Sequence, residues 1–447
     1  MIVDGRDTTA KSSTAILSVM MFLQFFLWGA WFVTLAPFMG ARGFEGAMIG
    51  NAYSVAPLAA IITPFFLGII ADRFFASQKV MGVLHFVGGL LLIAAPSIAD
   101  GGKDNVWFFI GVLLLHMLCY MPTLGLTNTI AFNAMKNPEK QFPIVRVWGT
   151  IGWIAAGILV GFVARKMITA QGDYPTVEAA RNASSLFFYV GGVSGLVLGL
   201  FSFMLPNTPP PMADKPANIS DILGLDAIKL LGDRSFLIFA ICSTLICIPL
   251  AAYYSFAGVY AGAVGLENVP FKMSFGQMSE ILFMLVMPLC FARLGVKWML
   301  AVGMLAWIAR YAFFSAASSG FGSGNAVTFV LAGIILHGIC YDFFFVTGQI
   351  YTEKFAPTEM RAKAQCFLVL LTQGVGMLIG NQVFGRLVDH YTTTTKGADG
   401  AELKTIDWTT VWMFPTLFAA GVLVLFVLAF SGKAAAKLAQ PGVVPAK

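Results

Sequence analysis

The chain has 447 residues, 58% of them hydrophobic and only 11% charged, with a mean hydropathy of +0.80 and a formal charge of +6. A soluble chain carries about 25% charged residues, so this one cannot cover a water-exposed surface. Soluble enzymes, nucleic-acid binders and secreted disulfide scaffolds are excluded, and a protein embedded in a lipid bilayer remains. The positive charge fits Lys and Arg gathered at a cytoplasmic membrane face and needs no nucleic acid.

A helix needs about 20 mostly apolar residues to cross about 30 Å of hydrocarbon. The sequence predicts twelve such segments, near 14–38, 46–71, 80–99, 105–135, 143–164, 183–205, 235–263, 271–292, 298–318, 325–352, 362–388 and 408–432. The first is too long for a signal-peptide core and lacks a convincing cleavage site, so it reads as a span. The longest polar interruption after the first helices runs from Pro206 to Ser235, and its prolines stop the sixth helix and stiffen a linker. The expected architecture is therefore an all-α integral membrane protein of twelve transmembrane helices in two six-helix halves, 1–205 and 235–432. A cytoplasmic linker, 206–234, joins them, and a cytoplasmic tail, 433–447, follows. With the N-terminus inside, cytoplasmic segments hold 17 of the 28 Lys and Arg and the opposite side holds 9, which predicts both termini in the cytoplasm. Arg146 and Arg310 are the two basic residues within spans. All six cysteines fall in apolar stretches without CxxC or CxxH spacing, so neither a disulfide framework nor a zinc site is indicated.

Between the second and third segments stands GIIADRFFASQK, from Gly68 to Lys79, and FARLGVK, from Phe291 to Lys297, holds the equivalent place in the second half. The first resembles the G-x-x-x-D-R loop motif of the major facilitator superfamily. In the functional reading Asp72 and Arg73 latch a gate; in the plain one they belong to a solvated turn. Two six-helix halves place a substrate site at the midplane between them.

Of 22 acidic residues, only Glu280 and Asp342 lie deep in a span. A charge at the bilayer centre costs a few kcal/mol even on the permissive insertion scale, so their presence asks for a reason. An acid whose exposure alternates can take up a proton on one side and release it on the other, which is the chemistry of a proton-coupled carrier. The alternative is a permanent buried ion pair, Asp342 with Arg310 or Glu280 with Arg146. Polar and aromatic residues elsewhere share helical faces. Arg146, Thr150 and Trp153 follow i, i+4, i+7, as do Gln24, Trp28 and Trp31; Gln277 and Glu280 are three apart, and His337 and Tyr341 four apart. Such faces stack on a planar ring and hydrogen-bond its edge or a polyol. For Gln24, Trp28 and Trp31 a role in gluing helices together stands beside the site role. His85, His116 and His390 read as packing or span-end residues. No HExxH, GxSxG or P-loop is present, so hydrolysis and ATP-driven pumping lack support, and the chain is not read as an enzyme.

The stretches FLQFFLWGAWFVTL, GIIADRFFA, YMPTLGLTNTI, FPIVRVWGTIGW, QMSEILFMLVMPLCFARLGVKWM and YDFFFVTGQIYTEKFAP resemble, in order along the chain, the bacterial nucleoside:proton symporters of the major facilitator superfamily. The resemblance implies a twelve-helix, multi-pass carrier of the bacterial inner membrane that imports nucleosides with a proton. It needs no cofactor beyond the proton gradient, and it acts as a monomer in the lipid bilayer. It assigns substrate binding to Arg146, Thr150 and Trp153 and to Gln277 and Glu280. It also assigns Tyr341 to the site and protonation to Asp342; from its place deep in a span, Glu280 is read as the second proton carrier. Departures gather in the second half: the helix seven positions where such permeases offer a Gln and an Asn are Ala251 and Tyr254 here, and a helix ten Tyr is replaced by His337. Tyr254 and His337 are retained as substrate contacts, and the aromatic walls of such a pocket suit a nucleobase or the apolar face of a sugar. A proton-coupled sugar symporter is accordingly the alternative within transport. A solute sensor and a drug exporter are weaker rivals, the first for want of a long soluble domain, the second because two buried acids and an arginine suit a polar solute.

Overall fold

A computed structural model describes residues 5–70, 74–136, 138–174, 176–210, 225–320, 323–396 and 402–431. Asp72 and Arg73 lie outside these residues, as does the tail. Helix one runs over Gly5–Trp31 and resumes as Leu35–Ala41; helix two is Gly46–Ile70, helix three Ser77–Ala99, helix four Val106–Ala134 and helix five Pro138–Met167. A short helix, Val177–Asn182, precedes helix six, Leu186–Ser202, and helix seven is Arg234–Ala263. Among the described residues, eleven helices are long and apolar enough to cross a membrane. The longest of these, Val269–Ser318, is two spans joined at Gly295, where φ is 64° and ψ 177°. That backbone, open to glycine and costly for other residues, separates helices eight and nine inside the FARLGVK turn and brings the spans to twelve.

Helix ten begins as Ala326–Ile335, continues through His337–Cys340 and a π-helical turn at Tyr341–Val346, and ends as Thr347–Phe355. Helix eleven has a second π-turn, Leu370–Gly376, between Arg361–Val369 and Met377–His390, and helix twelve is Trp408–Ala429. Helix one breaks where a continuous span is predicted: the Thr34 amide donates to the Trp31 carbonyl at 3.1 Å, a tighter turn than the α-helical one. Between helices eleven and twelve, where the sequence reading has only a polar break, β1 (Thr392–Lys396) pairs antiparallel with β2 (Glu402–Ile406). The four consecutive β-branched threonines of β1 suit that conformation.

The chain packs as two compact units. The first comprises Met1–Phe44, Leu58–Ala217 and Glu267–Ser274; the second comprises Glu45–Pro57, Asn218–Leu266 and Phe275–Lys447. In the first, Leu17, Met20 and Met21 of helix one close a core with Leu126, Ile130 and Val145 of helices four and five. In the second, acidic caps anchor helix starts, where unpaired N–H groups and the helix dipole favour a carboxylate. The Asp233 carboxylate accepts from Ser235 and Phe236 N–H at the head of helix seven, and that of Asp407 from Thr410 N–H in helix twelve. The Asp389 carboxylate accepts from Gly46 and Ala47 N–H at 2.5 and 2.8 Å, so the end of helix eleven caps the start of helix two. Lys297 Nζ satisfies the last carbonyls of helix twelve, at Val427 and Phe430. Outside the membrane, Lys363 and Lys229 bond to the Asp226 carboxylate and hold it below its usual range.

Candidate functional site

In the first unit, Arg146, Thr150 and Trp153 of helix five are all partly exposed. The Arg146 guanidinium lies 4.4 Å above the Phe25 ring, and the Trp153 ring meets that of Trp28 edge-on at 5.4 Å. Thr150 sits one turn from each on helix five. Helix five and helix one thus present a cation, a hydroxyl and two indoles on one aromatic surface.

Gln24 does not belong to that surface. Fully buried, it donates through Nε2 to the Thr123 hydroxyl at 2.7 Å and accepts at Oε1 from His85 Nε2 at 2.8 Å. Its backbone carbonyl accepts from the Tyr120 hydroxyl at 2.8 Å. Gln24 therefore ties helix one to helices three and four. Trp31, buried against His116 and Phe188, is part of the same packing. His116 in turn bonds through Nδ1 to the Gly88 carbonyl at 2.8 Å, so both buried histidines of this unit are helix-to-helix ties.

In the second unit, helices eight and ten approach closely enough for the Gly338 amide to donate to the Ser279 hydroxyl at 3.0 Å. This crossing, close-packed at Gly338, brings Gln277 and Glu280 on helix eight beside His337, Tyr341 and Asp342 on helix ten. The His337 ring stacks on Tyr253 at 5.5 Å and lies 6.4 Å from Tyr254 and 6.0 Å from Tyr341. Gln277, Glu280, Tyr254 and Tyr341 keep partial exposure, whereas Asp342 and His337 are buried. Ala251 is fully buried, with Gly380 of helix eleven packed directly on its methyl, and offers nothing to a solute.

Neither carboxylate oxygen of Asp342 has a hydrogen-bond partner among the described residues. The ion pair between Asp342 and Arg310, raised as an alternative from sequence, is therefore not formed. Arg310 Nη2 instead faces His337 Nδ1 at 3.1 Å, and its guanidinium lies 4.1 Å over the Tyr253 ring. The π-turn that opens at Tyr341 inserts an extra residue per turn at this point, as π-turns at functional sites commonly do. Sequence reasoning missed Tyr253 and the Arg310–His337 contact. The latter joins residues 27 apart on different helices, so no local spacing marks it. No group of three or more His, Cys, Asp or Glu placed to hold a metal occurs among the described residues.

The sequence profile of a family described as nucleoside H+ symporter matches residues 11–435. The putative nucleoside transporter YegT of Escherichia coli is 40% identical over 419 residues, 94% of each chain. The nucleoside permease NupG of Escherichia coli is 31% identical over 93% of this chain and 94% of its own. A crystal structure of the nucleoside transporter NupG superposes with a TM-score of 0.76 at 30% identity, covering 94% of this chain and 99% of that one. These likenesses favour the nucleoside reading over the sugar alternative and carry the major facilitator fold.

Proposed function

The chain belongs to the nucleoside H+ symporter family, and we propose that it imports a nucleoside together with a proton across the bacterial inner membrane. The observation that carries this reading is Asp342, a buried carboxyl in helix ten whose oxygens bond to no described residue and which follows directly on Tyr341 of the aromatic cluster. A membrane-embedded carboxyl without a fixed partner can exchange its proton when its surroundings open first to one side and then to the other. Glu280, in the same unit, is the second candidate for the proton.

Substrate recognition in this reading uses two kinds of group. Trp153, Tyr254 and Tyr341 offer faces on which a nucleobase stacks, while Arg146, Thr150, Gln277, Glu280 and His337 hydrogen-bond its edge or the ribose. Ala251 contributes no hydrogen bond, so helix seven recognises the solute through Tyr254. The Asp72–Arg73 motif serves as the gate latch of the cytoplasmic turn. Both termini face the cytoplasm, the proton gradient supplies the energy, and the carrier works as a monomer.

Competition in proteoliposomes tests the substrate class. Entry of labelled uridine should be suppressed by unlabelled adenosine and untouched by free pentoses or hexoses. Suppression by the sugars, with nucleosides inert, contradicts the proposal and supports a sugar carrier.

A further inference from the structure

Arg310 is a costly side chain to keep in the second unit. It is fully buried within a span, two of its guanidinium nitrogens, Nε and Nη1, have no hydrogen-bond partner among the described residues, and no carboxylate there answers its charge. An ionisable group kept inside a membrane at that cost calls for a role. Among the described residues its hydrogen-bond contact is to His337, from Nη2 to Nδ1 at 3.1 Å, and the Tyr253 ring beneath it adds compensation.

A guanidinium has five N–H donors and no acceptor, so the nitrogen facing it must carry a lone pair. Nδ1 of His337 is therefore the acceptor, and the single ring proton of the neutral imidazole sits on Nε2. Tyr253 stacks on the ring at 5.5 Å and an interplanar angle of 20°, and Tyr341 lies at 6.0 Å and 34°, which fixes the plane of the ring. The bond to Arg310 fixes its rotation within that plane and turns Nε2 away from the guanidinium.

We propose that Arg310 is a positioning residue that holds His337 as a neutral Nε2–H donor, so that helix ten reads a hydrogen-bond acceptor on the solute. Resting on the nucleoside reading, the group so recognised is a carbonyl or a pyridine-type nitrogen on the edge of a nucleobase. Tyr253, stacked on the same imidazole and placed beneath the same guanidinium, completes the support.

Nitrogen NMR of protein labelled in its four histidines tests this without any substrate. The resonances that vanish in His337→Asn belong to His337. In the wild type they should show a protonated Nε2 and a bare Nδ1, and in Arg310→Met a mixture of both neutral tautomers. A wild-type His337 protonated at Nδ1, or at both nitrogens, overturns the proposal, and that reading needs no variant at position 310 to fold. Nucleoside binding supplies the second arm. Arg310→Met should weaken adenosine or uridine about fivefold, the scale of one lost hydrogen bond, and should add nothing to His337→Asn in the double variant. Losses that multiply in the double variant give Arg310 a role apart from His337 and also overturn it. If neither nucleoside binds the wild type while the spectra show the Nε2–H form, the positioning role stands and it is the nucleoside reading that fails.

Discussion

The Gly338 amide donates to the Ser279 hydroxyl across 3.0 Å, and at this crossing helices eight and ten leave no room for a side chain on Gly338. A Cβ there would lie 2.6 Å from the Ser279 carbonyl group. Gly338→Ala should therefore push apart the helices that carry Glu280 and Asp342, at the ~1–3 kcal/mol typical of overpacking, and depress uptake with it. Ser279→Ala removes the acceptor of that amide, worth about 1 kcal/mol, together with the hydroxyl's own bond to the Gly276 carbonyl within helix eight; it adds no bulk at the crossing and should keep transport. Thermal unfolding and uptake, measured on both variants, check the pair; full uptake by Gly338→Ala contradicts the account.

Gln24 provides a test of helix gluing against solute binding. Gln24→Leu leaves the Thr123 hydroxyl and His85 Nε2 without their buried partner, at a cost of about 1–3 kcal/mol. The variant should melt earlier than the wild type, yet the folded fraction should transport with an unchanged KM. A raised KM with normal thermal stability would instead place Gln24 at the solute.

Asp389 caps helix two from the end of helix eleven, accepting from two backbone amides. Asp389→Ala should lower stability by about 1 kcal/mol, and Asp389→Asn, which still accepts one such bond, by less. Melting temperatures of the three proteins in one detergent decide the order.

The tie from Asp226 to Lys363 and Lys229 makes a prediction in pH. Those two cations hold the carboxyl below its ordinary value of 3.8 in the folded chain, so the stabilisation is complete above that value and fades as pH falls through the lower, folded one. Asp226→Asn should melt earlier than the wild type at neutral pH, and the gap should close in acid below 3.8. A gap independent of pH contradicts an ionic origin.

Features dictated by the bilayer were legible in the sequence. Each span must satisfy its own backbone and present about 20 apolar residues, so twelve segments could be placed, even the split at FARLGVK, where only Gly295 departs from helical geometry. Residues on one helix were legible too, because the 3.6-residue period alone puts Arg146, Thr150 and Trp153 on one side. Illegible were relationships that packing creates between distant segments. Gln24 meets Thr123 across 99 residues and Arg310 meets His337 across 27, and no periodicity distinguishes such a tie from a solute contact. The break at Thr34 and the hairpin at Thr392 depend on local backbone and strand bonding that a hydropathy pattern does not register.

The central claim, that Asp342 couples a proton to nucleoside entry, is tested most directly by uptake of radiolabelled uridine and adenosine into proteoliposomes with and without an inward proton gradient. Wild-type protein should accumulate nucleoside above the outside concentration only with the gradient. Asp342→Asn should lose that accumulation while still binding nucleoside and exchanging it across the membrane without a gradient. Undiminished gradient-driven accumulation by Asp342→Asn contradicts the claim.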